Sequence, residues 1–283
     1  MNLTRYESAA KFLEHTEEYL LANETFNSLP LGISYAVRKN PQVFGSVTPY
    51  FSAVDHEGNL EAIAVRTPPY DLLIFSENLQ PRDAFSLIAQ DMMQLDPTLG
   101  GVNGRLELSE LFAQIWCELT ELKFTRQMHS RAYELKSVTR PENIDGSMRL
   151  ATDQDIDLVV EWMNAFDDEA VPDDPKTNRM ARVRGAVENE NFFLWEFNGS
   201  AVSIAAKARP VVNGITVNSV YTPPDLRRKG YATALVAALS QHLLDEGWKF
   251  CTLFTDMKNP TSNSIYQKIG YEPIGDYANH RFE

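Results

Sequence analysis

The sequence predicts an α/β (α+β) protein of two tandem domains, each a mixed, mostly antiparallel sheet flanked by helices. Three observations carry this expectation. The chain has 283 residues, enough for two cores of ordinary size. The stretch "TRPENIDGS", Thr139 to Ser147, clusters Pro, Asn, Asp and Gly without apolar periodicity, as linkers do. On either side of it one coarse order of elements recurs: helices, an antiparallel meander, then helix, strand, helix, strand. The repeat is one of element order, not of residues. It gives an N-terminal domain over 1–138, a linker over 139–147 and a C-terminal domain over 148–283.

Each element has its own signal. Residues 1 to about 27 read as one or two helices, with Phe12, Tyr19 and Leu20 among the apolar positions. "FSAVD" and "LEAIAVRT" flank the turn "HEGN", a hairpin pattern, and "DLLIF" follows as a third strand. "PRDAFSLIAQDMMQL" sets Phe85, Ile88, Met92 and Leu95 on one helical face. "LGGVNG" reads as a short strand and turn, "ELSELFAQIWCELT" as a second helix and "RAYELKSV" as a closing strand. After the linker, "TDQDIDLVVEWMNAFDDEA" is a helix that Thr152 and Asp153 can cap. Strands follow in "NFFLWEFNG", "SAVSIAAKARPV" and "GITVNSVYT". A long helix from about Gly230 to Glu246, a strand in "KFCTLFTD", a short helix in "TSNSIYQKI" and strand material in "YEPIGDYANHRF" complete the order.

Composition narrows the function. Hydrophobic residues make up 43% and charged residues 23% of the chain, an ordinary globular balance. No apolar run approaches the ~18 residues that span a bilayer, and acids run through the apolar N-terminal stretch, unlike a secretory signal. Two cysteines, Cys117 and Cys251, offer no disulfide framework and fit a reducing cytoplasm. The formal charge of −13 opposes bulk binding to nucleic acid or to an anionic membrane. The five histidines, at 15, 56, 129, 242 and 280, show no metal-ligand spacing, and no metal is expected.

Against that acidic background, "VYTPPDLRRKGYATALVAAL" puts Arg227, Arg228 and Lys229 directly before Gly230 and a long helix. Ala232, Leu235, Val236, Leu239 and Leu243 give that helix a defined buried side. Its start has no Ser, Thr or Asp cap. The first turn of a helix carries unpaired N–H groups and a partial positive charge, so an anion can take the place of the cap. A solvated basic turn would explain "RRKG" taken alone. The P-loop pattern is absent, and one glycine is too few for a dinucleotide fingerprint.

Two motifs decide between these readings. Arg227-x-x-Gly230-x-Ala232, after a strand, resembles the Arg/Gln-x-x-Gly-x-Gly/Ala motif of the GCN5-related N-acetyltransferases, the GNAT family. In "NPTSNSIYQKIGY", Asn259, Ser262, Ile265, Tyr266, Lys268, Gly270 and Tyr271 stand in register with a second run of that family. The close match covers about Ile215 to Tyr271, and the looser element order reaches back to about Ser147. The resemblance implies acetyl-CoA as co-substrate. Its pyrophosphate would lie on the amides of Arg228, Lys229, Gly230, Tyr231, Ala232 and Thr233. The pantetheine arm would pair with the strand ending at Val220, Tyr221 and Thr222, held open by a splay from "KFCTLFTD". Asn259 and Ser262 belong to the same site, and Tyr266 would act as general acid to the departing thiolate.

The acceptor is expected to be a small-molecule or peptide amine. Where many relatives place an acid, this strand reads "ITVNSVYT", so the general base is unassigned. Glu196, Asp167 and Glu169 are fallback candidates, the last two in the acidic stretch from Asp167 to Asp174. A non-catalytic acyl-CoA-binding sensor or partner-binding protein is the rival reading. In the first half no glycine occurs between Gly58 and Gly100, and Asp83 stands beside Arg82. That half reads as a degenerate copy without a cofactor site. The chain is expected as a monomer, a pseudo-dimer of its domains, or as a homodimer.

Overall fold

The N-terminal helical signal over residues 1 to about 27 resolves into one helix behind a strand that the sequence pattern did not reveal, and a second, unanticipated helix follows it. In the computed structural model, which describes residues 1–170 and 179–283, β1 spans Asn2–Arg5, α1 Ala9–Leu21 and α2 Ser28–Lys39. Ser8 caps α1 by accepting the Lys11 amide at 3.3 Å. The chain continues through β2 (Tyr50–His56), β3 (Asn59–Arg66), β4 (Leu72–Phe75), α3 (Arg82–Leu95), β5 (Gly101–Arg105), α4 (Leu106–Thr120) and β6 (Phe124–Leu135). Beyond them lie β7 (Ser147–Leu150), a 3-10 turn at Asp153–Asp155, α5 (Ile156–Ala170), α6 (Arg179–Glu188), β8 (Phe192–Phe197) and β9 (Ser200–Ala208). β10 (Gly214–Tyr221), a 3-10 turn at Pro224–Leu226, α7 (Tyr231–Asp245), β11 (Phe250–Asp256), α8 (Pro260–Ile269) and β12 (Glu272–Phe282) complete it.

Two compact units result: residues 1–132 with 274–283, and residues 133–273. The expected contiguous division places the last strand differently. β12 pairs antiparallel with β5, Tyr277 opposite Arg105 and His280 opposite Val102, so it belongs to the first unit. Conversely, Tyr133 and Leu135 at the end of β6 lie in a core of the second unit. Element order is identical under either pairing, which is why apolar periodicity cannot distinguish them.

In the first unit β1, β2, β3 and β4 pair antiparallel in that order, and β5 joins β4 in parallel. Helices flank this mixed sheet. In the second unit β7, β8, β9 and β10 pair antiparallel and β11 joins β10 in parallel. Strand parity divides its core in two. Phe193 and Trp195 of β8 pack with Leu235 and Leu239 of α7 and Ile269 of α8. Phe192 and Leu194 face α5 and α6 through Ile156, Val159, Trp162, Val183 and Val187.

The segment expected as a linker is anchored within the second unit. The Thr139 amide donates to Ile269 O at 2.7 Å, and Trp195 Nε1 donates to Asp145 O at 3.1 Å. Ser147 already starts β7, opposite Glu196. Of the acidic stretch from Asp167 to Asp174, residues 171–174 lie outside the described residues.

Candidate active site

The second unit builds its site where β10 ends. The parallel ladder to β11 runs from Gly214↔Phe250 to Thr216↔Thr252 and stops there. On the other side the pairing with β9 jumps between Asn218↔Ala206 and Tyr221↔Ile204. Three residues of β10 thus oppose two of β9, a β-bulge. Ser219 within it takes a left-handed φ of 51°. Ser219 and Val220 are left outside the register on both sides, at the gap between β10 and β11. The expected splay is therefore present.

The turn that follows is shaped by Arg227. Its Nε donates to Thr222 O at 2.8 Å, and its Nη2 donates to both carboxylate oxygens of Glu169 at 2.9 and 2.8 Å. Its guanidinium also lies 5.6 Å from the centre of the Tyr221 ring. Arg227 was expected among the cofactor-binding cations; its guanidinium is committed to the turn and to α5. Arg228 and Lys229, both exposed, form no ion pair with a described residue.

Arg228 at φ 64° and Gly230 at φ 86° are both left-handed, and alternating turn conformations of this kind direct successive amides into one concavity. The first helical bond of α7 is Ala234 N to Gly230 O at 2.9 Å. Among the described residues, the N–H groups of Arg228, Lys229, Gly230, Tyr231, Ala232 and Thr233 have no acceptor. No side chain caps this helix. The turn can therefore hold a diphosphate through its backbone. The reason for glycine at position 230 is not only close approach of an anion: a Cβ there would stand 2.7 Å from Ile144 Cδ1. The 139–147 segment fills the place a side chain would take.

The side chains of Tyr221 and Tyr231 are buried, at 8% exposure each, so these two residues can offer a ligand only backbone. Asn259 caps α8, its Oδ1 accepting the Ser262 amide at 3.0 Å, which leaves its Nδ2 for a ligand. Tyr266 follows Ser262 by one helical turn. Its ring packs near Tyr133 and Tyr271, with centroids at 6.4 and 6.0 Å. Burial pushes its hydroxyl up to about 12, and a hydrogen bond with the Ser262 side chain acts the other way. The hydroxyl therefore stays protonated at neutral pH.

The fallback bases are already paired. Glu196 accepts from Arg149 Nε at 2.7 Å, Glu169 is held by Arg227, and Asp167 is paired with Arg179. Each of these carboxylates is engaged by a guanidinium.

The corresponding place in the first unit is built differently. The Glu77 amide donates to Tyr19 Oη at 2.8 Å and the Gln80 amide to Asn78 Oδ1 at 2.9 Å. Arg82 is paired with Glu118. Gly104 of β5 lies so close to β4 that a Cβ there would stand 2.9 Å from Ile74 O. α3 likewise has no side-chain cap and its Arg82, Asp83 and Ala84 amides have no acceptor among the described residues, but Asp83 in that first turn opposes an anion there. Among the described residues no His, Cys, Asp or Glu group is placed to hold a metal, and no helix is long and apolar enough to cross a membrane.

Sequence and structure comparisons bear on this geometry. The family model described as FR47-like protein matches residues 205–280, which run from the second half of β9 to most of β12. No curated protein gave a significant match. An acetyltransferase of the GNAT family from Colwellia psychrerythraea is 15% identical, with a TM-score of 0.60 over 100% of this chain and 99% of its own. A Drosophila protein solved by structural genomics is 11% identical, with a TM-score of 0.70 over 99% and 98%. A tandem GNAT protein from the clavulanic acid biosynthesis pathway is 10% identical, with a TM-score of 0.57 over 100% and 98%. The chain has the GNAT-family acetyltransferase fold, and the match to a family model lies in its C-terminal half.

Proposed function

We propose that the chain is an acetyl-CoA-dependent N-acetyltransferase built from two tandem GNAT-like domains, residues 1–132 with 274–283 and residues 133–273, and that only the second carries a cofactor site. The observation that carries this is the run of amides from Arg228 to Thr233 without an acceptor among the described residues, at the end of a bulged strand whose parallel neighbour parts from it. Such a turn fits a diphosphate, and the gap beside Ser219 and Val220 fits an extended amide-bearing arm that pairs as a strand does. Acetyl-CoA has both parts in that order.

In this reading the backbone from Arg228 to Thr233 binds the diphosphate, and exposed Arg228 and Lys229 add local positive charge. Val220, Tyr221 and Thr222 offer backbone to the arm, and Asn259 Nδ2 with Ser262 bounds it from α8. Arg227 fixes the turn rather than the phosphate. When bound, acetyl-CoA supplies an acyl carbon activated by a thiol leaving group. Backbone N–H groups near Val220 can hold charge that develops on a carbonyl oxygen. Tyr266, protonated throughout the neutral range, can give its proton to sulfur. The acceptor is a small-molecule or peptide amine.

Thiol release from acetyl-CoA tests this, measured across α-amines, ε-amines, polyamines and peptides. Amine-dependent release supports the transferase. Binding without release from any acceptor would favour the acyl-CoA sensor instead.

A further inference from the structure

The start of α8 is held by a residue that precedes the 139–147 segment in sequence. Tyr133, near the end of β6, is 0% exposed, and its Oη donates to Asn263 Oδ1 at 2.9 Å. Gln267 Nε2 stands 3.5 Å from the same hydroxyl. Asn263, one turn into α8, donates from Nδ2 to Asp256 O at 3.0 Å and to Asn259 O at 2.8 Å. Two carbonyls on that side of the amide require its nitrogen there, so its oxygen faces Tyr133. One side chain thus ties the last residue of β11 to the residue that caps α8. Tyr133 fixes that side chain from a third element.

This clamp stands where the ladder to β10 has ended. The pairing of β10 with β11 stops at Thr216↔Thr252, so β10 does not hold β11 from Leu253 to Asp256. Two residues that border the gap from α8 depend on the clamp. Asn259 supplies the carbonyl that Asn263 engages, and its own Oδ1 accepts the Ser262 amide at 3.0 Å. Tyr266 follows Asn263 by three residues, on the same side of the helix, and its ring centre lies 6.4 Å from that of Tyr133. Without the Tyr133 hydroxyl, Asn263 Oδ1 would lose its donor. A shift of the α8 start that admits water would then relieve the unsatisfied oxygen.

We infer that Tyr133 is a positioning residue for the acyl end of the site: through Asn263 it sets the start of α8, and with it Asn259 and Tyr266, against the gap. This rests on the transferase reading above. Tyr133 acts through Asn263 and not by contact with the reacting atoms. A second domain that begins at 148 leaves this residue out, whereas the second compact unit begins with it. Proton donation by Tyr266 is sensitive to distance, and misplacement by about 1 Å can cost about 10²-fold in rate. The diphosphate turn from Arg228 to Thr233 shares no hydrogen bond with Tyr133 or Asn263. Cofactor affinity should therefore depend on the clamp far less than turnover does.

Tyr133→Phe removes one hydroxyl and keeps the ring. Tyr277→Phe is the control, since it also removes a buried tyrosine hydroxyl, one that donates to Phe26 O at 2.7 Å in the first unit. Both full-length variants should melt only about 2–4 °C below wild type. With acetyl-CoA and the amine that gives wild type its fastest thiol release, Tyr133→Phe should lose at least about tenfold in kcat. Its KM for acetyl-CoA should stay within about threefold. Tyr277→Phe should keep both constants. Asn263→Ala should lower kcat as well, and adding Tyr133→Phe to it should lower kcat no further, because both act through one bond. Hydrogen exchange gives a readout apart from activity: the Ser262 and Asn263 amides, both bonded to Asn259, should exchange at least about tenfold faster in Tyr133→Phe, with residues 228–233 unchanged. A Tyr133→Phe kcat within twofold of wild type, a rise in KM alone, or additive effects of the two substitutions would each overturn the inference and leave the transferase reading intact. Absence of an acetyl-CoA thermal shift in wild type, measured first, sinks both. A shift without turnover of any amine sinks the transferase alone, and exchange then decides: faster exchange at Ser262 upholds the positioning role, and unchanged exchange overturns it.

Discussion

Gly230→Ala tests how the cofactor turn is held. Gly230 sits at φ 86°, a conformation that costs an L-residue about 1–2 kcal/mol. The added Cβ would stand 2.7 Å from Ile144 Cδ1 and 3.1 Å from Cγ1. The nearest atom is the end of a flexible side chain, so relief by a rotamer change costs at the low end of the overpacking range, about 1 kcal/mol. The sum is about 2–3 kcal/mol, to be read by equilibrium urea unfolding. The two parts can be separated. Ile144→Ala removes the clash, so the double variant should be more stable than additivity predicts by about 1 kcal/mol, with the backbone part remaining. Because the same turn carries the Lys229 and Gly230 amides, stabilisation by acetyl-CoA should shrink in Gly230→Ala as well. A Gly230→Ala protein within about 0.5 kcal/mol of wild type, with additive behaviour alongside Ile144→Ala, would refute this account of the turn.

Three further outcomes are expected. Arg227→Met and Glu169→Gln should show a coupling of about 0.5–1 kcal/mol in a double-mutant cycle on stability, modest because the pair is exposed; independent effects would mean that the ion pair does not hold the turn to α5. Tyr266→Phe should bind acetyl-CoA nearly as wild type does and turn over about 10²- to 10⁴-fold more slowly; turnover within twofold on the true acceptor would remove this tyrosine as the acid. Burial raises the Tyr266 hydroxyl to about 12, so between pH 10 and 12 the unfolded chain loses a proton that the folded chain keeps. Stability from this group is complete below pH 10 and falls by up to about 1.4 kcal/mol per pH unit above it. Tyrosinate absorbance from Tyr266, taken as the difference between wild type and Tyr266→Phe, should then appear with unfolding; its appearance near pH 10 in folded protein would contradict the burial.

Much of this was legible in the residues. The long helix after Gly230 and the strands around it carry strong periodicity, and the Arg227 and Asn259 motifs marked the two helix starts that border the gap. α2 escaped because "SLPLGISYAVRK" contains Pro30 and Gly32, which read as loop although both are buried in the helix. α6 escaped because its charged residues outnumber its buried ones, Val183 and Val187. β1 is four residues long, too short for alternation to register. The bulge at Ser219, the commitment of Arg227 to Glu169 and the packing of Ile144 on Gly230 depend on contacts between segments far apart in sequence. Local pattern holds no signal for them. That the Asn218 carbonyl and the Thr216 and Thr252 hydroxyls lie buried without partners among the described residues depends on the three-dimensional arrangement.

The claim on which the rest depends is that acetyl-CoA binds the turn before α7 and nowhere in the first unit, where Asp83 in the first turn of α3 opposes an anion. Isothermal titration of the full chain with acetyl-CoA measures this directly. The account predicts one site per chain, weakened by Gly230→Ala. Two equivalent sites, or no binding up to millimolar acetyl-CoA, would contradict it.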